Sequence, residues 1–174
     1  MKQLLTTLFL CLAVLNCQAD KSIIEKFVGE FKGDVKISES RNRTLHVNIK
    51  QIKDGFNVSW KTIIQDSSGS GKSKSYSIDF IRSDRQGIYG SAMKTNLFGG
   101  QEALDPIKGE PYFWAKLDSS KLTIYGMLIT EDGDYEVQRY DRIIQGDDDD
   151  MVLEYTLTRG EDVIKTITAT LSRQ

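Results

Sequence analysis

The sequence predicts an all-β protein, an antiparallel meander closed into a single barrel of about 8–10 strands with a short N-terminal helical turn. Short runs of alternating apolar and polar residues follow one another from Phe27 to Gln174. Turn signals such as Asp54-Gly55 and Asp132-Gly133 separate most of these runs. The last two runs each carry one apolar and one threonine-rich face, which is typical of strands with one side in a core.

Each predicted element is an alternating run bounded by turn residues. The helical turn is expected because Ser22 and Glu25 have the spacing of a capping box. The strand boundaries follow from Gly, Asp and Ser clusters between the runs. In chain order we predict a helical turn over 22–26 and strands over 27–38, 44–53, 56–64, 76–82, 88–93, 112–117, 122–130, 135–145, 151–159 and 162–173.

Two longer segments are predicted as loops. The Ser-, Gly- and Lys-rich segment 66–75 is expected to be mobile. The segment 94–110 is the longest irregular stretch, and such loops are more often functional than not. We expect it to fold over one barrel mouth, because it contains the apolar residues Leu97, Phe98, Leu104 and Ile107.

The first nineteen residues are interpreted as a secretion signal. Their apolar stretch, 4–15, is too short to span a bilayer. We expect cleavage after Ala19, a single mature domain over 20–174, and a location in the periplasm or outside the cell. Lipoprotein anchoring through Cys17 is the alternative, and it is disfavoured because Asn16 is not the small residue that such a site requires.

Composition restricts the partners of the mature domain. The formal net charge is −2, which argues against a nucleic-acid partner. Both cysteines, Cys11 and Cys17, lie in the signal, so the mature chain has no disulfide, which suits an oxidising compartment. No second apolar stretch is long enough for a transmembrane segment.

The strand over 135–145 is the expected location of a polar anchor. One of its faces carries Glu136, Gln138, Tyr140 and Arg142, and the other is equally polar. A charge that enters a barrel interior needs a partner or a ligand. Small residues within other strands leave interior space if they point inward, or else mark bends: Gly90, Ala92, Ala115 and Gly126.

Aromatic and arginine side chains are the ligand-binding candidates. Aromatic residues suit a mostly apolar cavity, and arginine suits a carboxylate or phosphate head. Core packing of the aromatic rings and surface ion pairing of the arginines are the competing interpretations. The candidates are Trp60, Tyr112, Trp114, Tyr125, Arg139, Tyr140 and Arg142.

No catalytic or metal-binding set is recognised, so we expect no enzyme, no metal and no cofactor. The single histidine, His46, lies on the polar face of its predicted strand. The run 147–150 is four adjacent aspartates, which favours a solvated turn over a spaced Ca²⁺ loop, and the same holds for 131–134. The segment 69–73 lacks the spacing of a phosphate-binding loop.

The N-terminal strand carries a family resemblance. Gly29 and Phe31 follow a short helical turn and resemble the first strand of the calycins, the lipocalin and fatty-acid-binding-protein superfamily, with Phe in place of the usual Trp. Arg173 resembles the basic residue that packs over that aromatic ring. The segments 109–115 and 133–142 also look like secreted bacterial barrel proteins. The helical lid of the fatty-acid-binding branch has no counterpart here.

Two functions from different classes follow. The first, which the resemblance implies, is a secreted calycin-like barrel that binds a small hydrophobic or amphipathic molecule in its interior. The alternative is a non-catalytic interaction scaffold with a packed interior, whose loops contact a protein of the cell envelope. The volume of the interior separates them, since ligand-binding cavities measure several hundred Å³.

Overall fold

The computed structural model describes residues 23–38, 41–66, 71–91, 94–95, 101–102, 104–146 and 149–174. The proposed signal, including Cys17, lies outside these residues, as do Ser22, Ala92, Leu97 and Phe98. No helix in the described part is long and apolar enough to cross a membrane.

The chain forms one closed antiparallel barrel of ten strands, which confirms the predicted fold class. Around the barrel the order is β1-β12-β11-β10-β9-β8-β5-β4-β3-β2, and β6 and β7 form a separate two-stranded sheet. The strands are β1 Gly29–Ser38, β2 Arg41–Ile52, β3 Gly55–Asp66, β4 Gly71–Arg82, β5 Ile88–Ser91, β6 Lys94–Thr95, β7 Gln101–Glu102, β8 Tyr112–Leu117, β9 Lys121–Ile129, β10 Tyr135–Gln145, β11 Asp150–Arg159 and β12 Asp162–Arg173.

The N-terminal helical turn, residues 23–25, covers one end of the barrel, which we call the closed end. Its Ile24 and the following Phe27 are buried. The guanidinium carbon of Arg173 lies 4.6 Å from the ring centroid of Phe31. Arg173 Nη1 also donates to the backbone oxygen of Val28 at 2.6 Å. The packing of Arg173 over Phe31 that the calycin resemblance implies is therefore present.

A close approach of two backbones closes the barrel. Strand β1 pairs with β12 at Phe31–Arg173 and Lys32–Ser172. A Cβ atom on Gly33 would lie 2.3 Å from the backbone oxygen of Thr170. Only glycine permits this approach, so β1 meets β12 where the sequence lacks a side chain.

The half of the barrel next to the closed end, the closed half, is filled by side chains. The Phe56 ring lies 5.4 Å from that of Phe80 and 4.9 Å from that of Tyr89. The side chains that surround these rings are aliphatic and almost wholly buried, because neighbouring strands place their apolar faces at the same level. They include Ile49, Leu117, Leu122, Met151 and Leu171.

Two predicted connections are wrong in detail. The hairpin loop after β2 is Lys53-Asp54 and not Asp54-Gly55, because Ile52 pairs with Gly55. Gly55 belongs to β3, where a Cβ atom would lie 1.9 Å from the backbone oxygen of Phe80. The predicted loop 66–75 is largely strand, since 71–75 pairs with 61–65.

The predicted mouth loop contains local structure. Besides β6 and β7, Pro106–Lys108 form a 3-10 turn that lies against β9. Leu104 is half-buried, but the side chain of Ile107 is 84% exposed. The expectation that Ile107 would be covered is therefore wrong.

Candidate ligand-binding cavity

The other half of the barrel, which we call the open half, encloses a cavity of about 470 Å³. Strands β2, β3 and β4 line one side, and β10, β11 and β12 line the other. The lining combines leucine, isoleucine and aromatic side chains with several cations. This mixture is typical of sites that bind small amphipathic molecules.

Arg142 lies at the inner end of this cavity and is 1% exposed. Its neighbours across the strands are Leu122 on β9 and Leu153 on β11. Its Nη1 atom donates to the backbone oxygen of Tyr140 at 3.4 Å, and its buried Nε atom has no hydrogen-bond partner in the described part of the chain. Burial lowers the pKa of Arg142 to about 10, so the group is still a cation at neutral pH.

Arg142 forms no ion pair with any carboxylate of the described residues. The adjacent Asp141 points to the outer face of the barrel because side chains alternate along β10. There Asp141 accepts from Thr123 at 2.6 Å and lies 3.1 Å from Arg139 Nε and 3.7 Å from Lys121 Nζ. Its charge is therefore already satisfied on the side away from the cavity.

Aromatic rings form a continuous wall beside Arg142. The Tyr140 ring lies 4.9 Å from Tyr155 and 5.9 Å from Trp60. Trp60 in turn stacks on Tyr76 at 5.3 Å. Burial, with a smaller contribution from Tyr155, raises the pKa of Tyr140, which therefore stays neutral. The Tyr140 hydroxyl donates to Gln138 Oε1 at 2.8 Å.

The structure divides the seven predicted binding residues into two groups. Trp60, Tyr140 and Arg142 line the cavity. The other four lie on the outer face, where the rings of Trp114 and Tyr125 stack at 4.8 Å. This outer group, which does not line the cavity, consists of Tyr112, Trp114, Tyr125 and Arg139.

Arg43, Tyr76 and Tyr155 also line the cavity, although they are not among the residues predicted from the sequence. Arg43 falls just before the predicted start of its strand, and Tyr76 stands at the predicted start of another. Side chains alternate between the two faces of a strand. If this alternation is extended beyond the predicted strand starts, both residues fall on an inward face. Tyr155 lies on the apolar face of its strand, and this face points inward.

The small strand residues do not create the cavity. A Cβ atom on Gly126 would lie 2.6 Å from the ring of Phe113, so that space is filled. Ala115 is buried in the closed half beside Ile124. Gly90 pairs with Trp114 on the outer face, where a Cβ atom would meet nothing within 4 Å.

A larger depression of about 720 Å³ lies over the outer face of β1–β4. Lys32, His46 and Lys61 stand side by side there in the strand register. This depression is widely open to solvent and holds no buried unpaired group among the described residues. We therefore regard the interior cavity as the candidate site. Within the described ranges, no three His, Cys, Asp or Glu side chains cluster closely enough to hold a metal ion.

Fold and site together define a ten-stranded antiparallel barrel with a basic, aromatic-lined interior cavity. Comparison with protein-family models, curated proteins and solved structures found no significant match to this chain.

Proposed function

We propose that this protein is a secreted barrel that sequesters a small anionic amphipathic molecule in its open half. The main support for this proposal is Arg142, a fully buried cation without a carboxylate partner in the described chain. Removing such a charge from water is costly unless something compensates it. A carboxylate, sulfate or phosphate head would supply the missing acceptors, and guanidinium groups bind these heads in a paired geometry.

The rest of the cavity suits the apolar body of such a ligand. Leu45, Leu157 and Ile167 line it above Arg142, together with the aromatic wall. Burial of apolar ligand surface against these side chains contributes roughly 25 cal/mol per Å² before the costs of binding. The proposed mechanism is sequestration with the anionic head inward, and no bond is made or broken.

The packed-interior scaffold is the weaker alternative. That hypothesis requires an interior filled by side chains, and the open half contains a cavity of about 470 Å³. The half-buried outer stack of Trp114 and Tyr125 is the feature that a protein partner would use. Such contact is compatible with ligand binding but does not explain why Arg142 has no carboxylate partner among the described residues.

The two tryptophans provide a direct test. The variant W114F leaves Trp60, which faces the cavity, as the sole tryptophan. Titration with decanoate is expected to change Trp60 fluorescence, and decanol, which has the same chain length without charge, is expected to bind more weakly. In the W114F background, R142M is expected to weaken decanoate binding by about 10- to 100-fold, because a charge-assisted hydrogen bond is worth about 1.5–3 kcal/mol.

The matched control is R139M, which removes an arginine from the outer face of the same strand. It is expected to leave decanoate affinity unchanged. Equal binding of decanoate and decanol, or equal losses in R142M and R139M, would contradict the proposed site. The absence of binding by any probe would contradict the proposed function.

A further inference from the structure

We infer that the ligand is an organic dianion, with one anionic group at Arg142 and a second near the open end of the cavity. This inference rests on the proposed function. It concerns the second charge, which the buried arginine alone does not require.

Positive charge is concentrated at the cavity. The whole chain has 23 Lys and Arg against 25 Asp and Glu. Five Lys and Arg side chains at inward-facing positions line the cavity, and within the described chain no Asp or Glu lines it. The five are Arg43, Lys72, Lys74, Arg142 and Lys165. Placement of charges without regard to the cavity would give about as many acids as bases. The basic lining is therefore a property of this site and not of the composition.

The cations that line the cavity lie at two depths. Arg142 pairs with Leu153, three residues from the β10–β11 turn at the closed side. Arg43 lies near the opposite end of its strand, across from Val35 and Ile64. The buried Nε atom of Arg43 likewise has no hydrogen-bond partner in the described residues. One carboxylate at Arg142 leaves this second guanidinium unmatched.

Lysines extend the outer cationic group. Lys72 and Lys74 of β4 pair with Ile64 and Thr62, positions that face the interior. Lys165 pairs with Leu157 at the same end of β11. All three line the cavity and reach water, so they form a positive mouth above the buried arginine. A fixed anion of the ligand would lower the repulsion among these cations.

The nearby inward carboxylate does not neutralise this group. Glu136, near the open end of β10, lies within 2.5 Å of Arg159 Nη2 and accepts from Arg159 Nε at 3.0 Å. It is thus engaged by a partner on the neighbouring strand. In the described part of the chain the mouth cations form no ion pair of their own.

A competing explanation exists for the β4 lysines. In the described structure, residues 71–79 of β4 pair with β3 alone, and lysines on such an edge prevent unwanted strand pairing. Edge protection requires no ligand, so the two explanations differ in their effect on affinity.

The experiment compares monoacids with diacids of equal length by Trp60 fluorescence in the full-length W114F protein. The probe pairs are octanoate with octanedioate, decanoate with decanedioate, and dodecanoate with dodecanedioate. At least one diacid is expected to bind about 10-fold or more tightly than its monoacid, with a steeper loss of affinity as salt increases. The double variant K72S/K74S is expected to weaken diacid binding by about 10-fold and monoacid binding clearly less, which removes most of this preference.

The matched control is K50S/K116S, which removes two lysines from exposed outer positions. It is expected to preserve the preference for diacids. Monoacid binding without any diacid preference would overturn the inference and leave the proposed function intact. The same holds if K72S/K74S and K50S/K116S behave alike, which would favour edge protection. If neither class of acid binds, the proposed function itself fails.

Discussion

Arg142 is the residue at which stability and binding oppose each other. Burial lowers its pKa from the ordinary arginine value to about 10 in the folded protein. Folding therefore disfavours the charged form of this guanidinium. The isolated fold carries this cost, and an anion bound at the guanidinium offsets it.

Replacement of Arg142 by methionine is therefore expected to stabilise the ligand-free protein by about 1–3 kcal/mol. The gain should be complete below about pH 10, where the arginine is charged in both folded and unfolded states. It should decrease as the pH rises above that value, because the native arginine then loses its proton while the unfolded one retains it. Urea denaturation of both proteins at pH 7 and pH 11 measures this difference.

The control for this prediction is again R139M. Arg139 lies 3.1 Å from the buried carboxylate of Asp141, so its loss is expected to destabilise the fold by about 0.5–1 kcal/mol. Two arginines three residues apart on β10 thus give opposite signs. A destabilised R142M protein would show that the contacts of Arg142 with the ring and the backbone oxygen of Tyr140 already compensate the buried charge.

At the level of elements, closure of the barrel depends on a position where two strands come close together because no side chain lies between them. Gly33 is such a position, since its missing Cβ atom makes room for the Thr170 oxygen of β12. Gly90 also lies in a strand, but its missing Cβ atom would meet nothing within 4 Å. The two glycine positions therefore differ in the atoms that an added side chain would meet.

Substitution of Gly33 by alanine is expected to destabilise the protein by about 1–3 kcal/mol, because β1 must move away from β12. Gly90→Ala is expected to be neutral or slightly stabilising, since alanine restricts the unfolded chain. Chemical denaturation of both variants gives the comparison. Similar changes in the two would indicate that closure at Gly33 contributes no special constraint.

From the sequence, the strands and the residues that share a face could be predicted. Which of the two faces points into the barrel was harder to predict. On β11 the apolar face of Leu153 and Tyr155 had to be internal, and it is. On β10 both faces are polar, so period two sorted Arg139 from Arg142 without showing which one is inside. The structure settles this through the neighbours, because Arg142 pairs with the internal Leu122 and Leu153.

A similar ambiguity explains the outer aromatic group. Strand β8 has large side chains on both faces, so Trp114 had no sequence signal that placed it outside. Its partners are Gly90 and Tyr125, both external, whereas the adjacent Ala115 faces the core. Which residues line the cavity thus depends on how the strands pair, so it could not be predicted from each strand alone.

The whole molecule has two halves with different physical roles. The closed half contains the aromatic cluster around Phe56, which is fully buried. The open half keeps a cavity beside half-buried rings such as Tyr155. Stability should therefore concentrate in one half and ligand recognition in the other.

Truncation of one ring in each half tests this division. Phe56→Ala is expected to cost about 3–5 kcal/mol of unfolding free energy, because it leaves a cavity inside a packed cluster. Tyr155→Ala should cost clearly less and should weaken decanoate binding instead. Denaturation and fluorescence titration of the same two proteins give both quantities. Equal losses of stability would contradict the division into halves.

The contacts of Arg173 with the first strand also constrain when the protein can fold. The hydrogen bond from Arg173 to Val28 joins residues 145 positions apart. During synthesis or passage through a narrow channel, β1 has no partner on one side until β12 emerges. We expect completion of the fold to wait for β12 and to be comparatively slow, as for chains dominated by distant contacts. Protease resistance of stalled chains that is gained only when β12 lies outside the ribosome would show this delay.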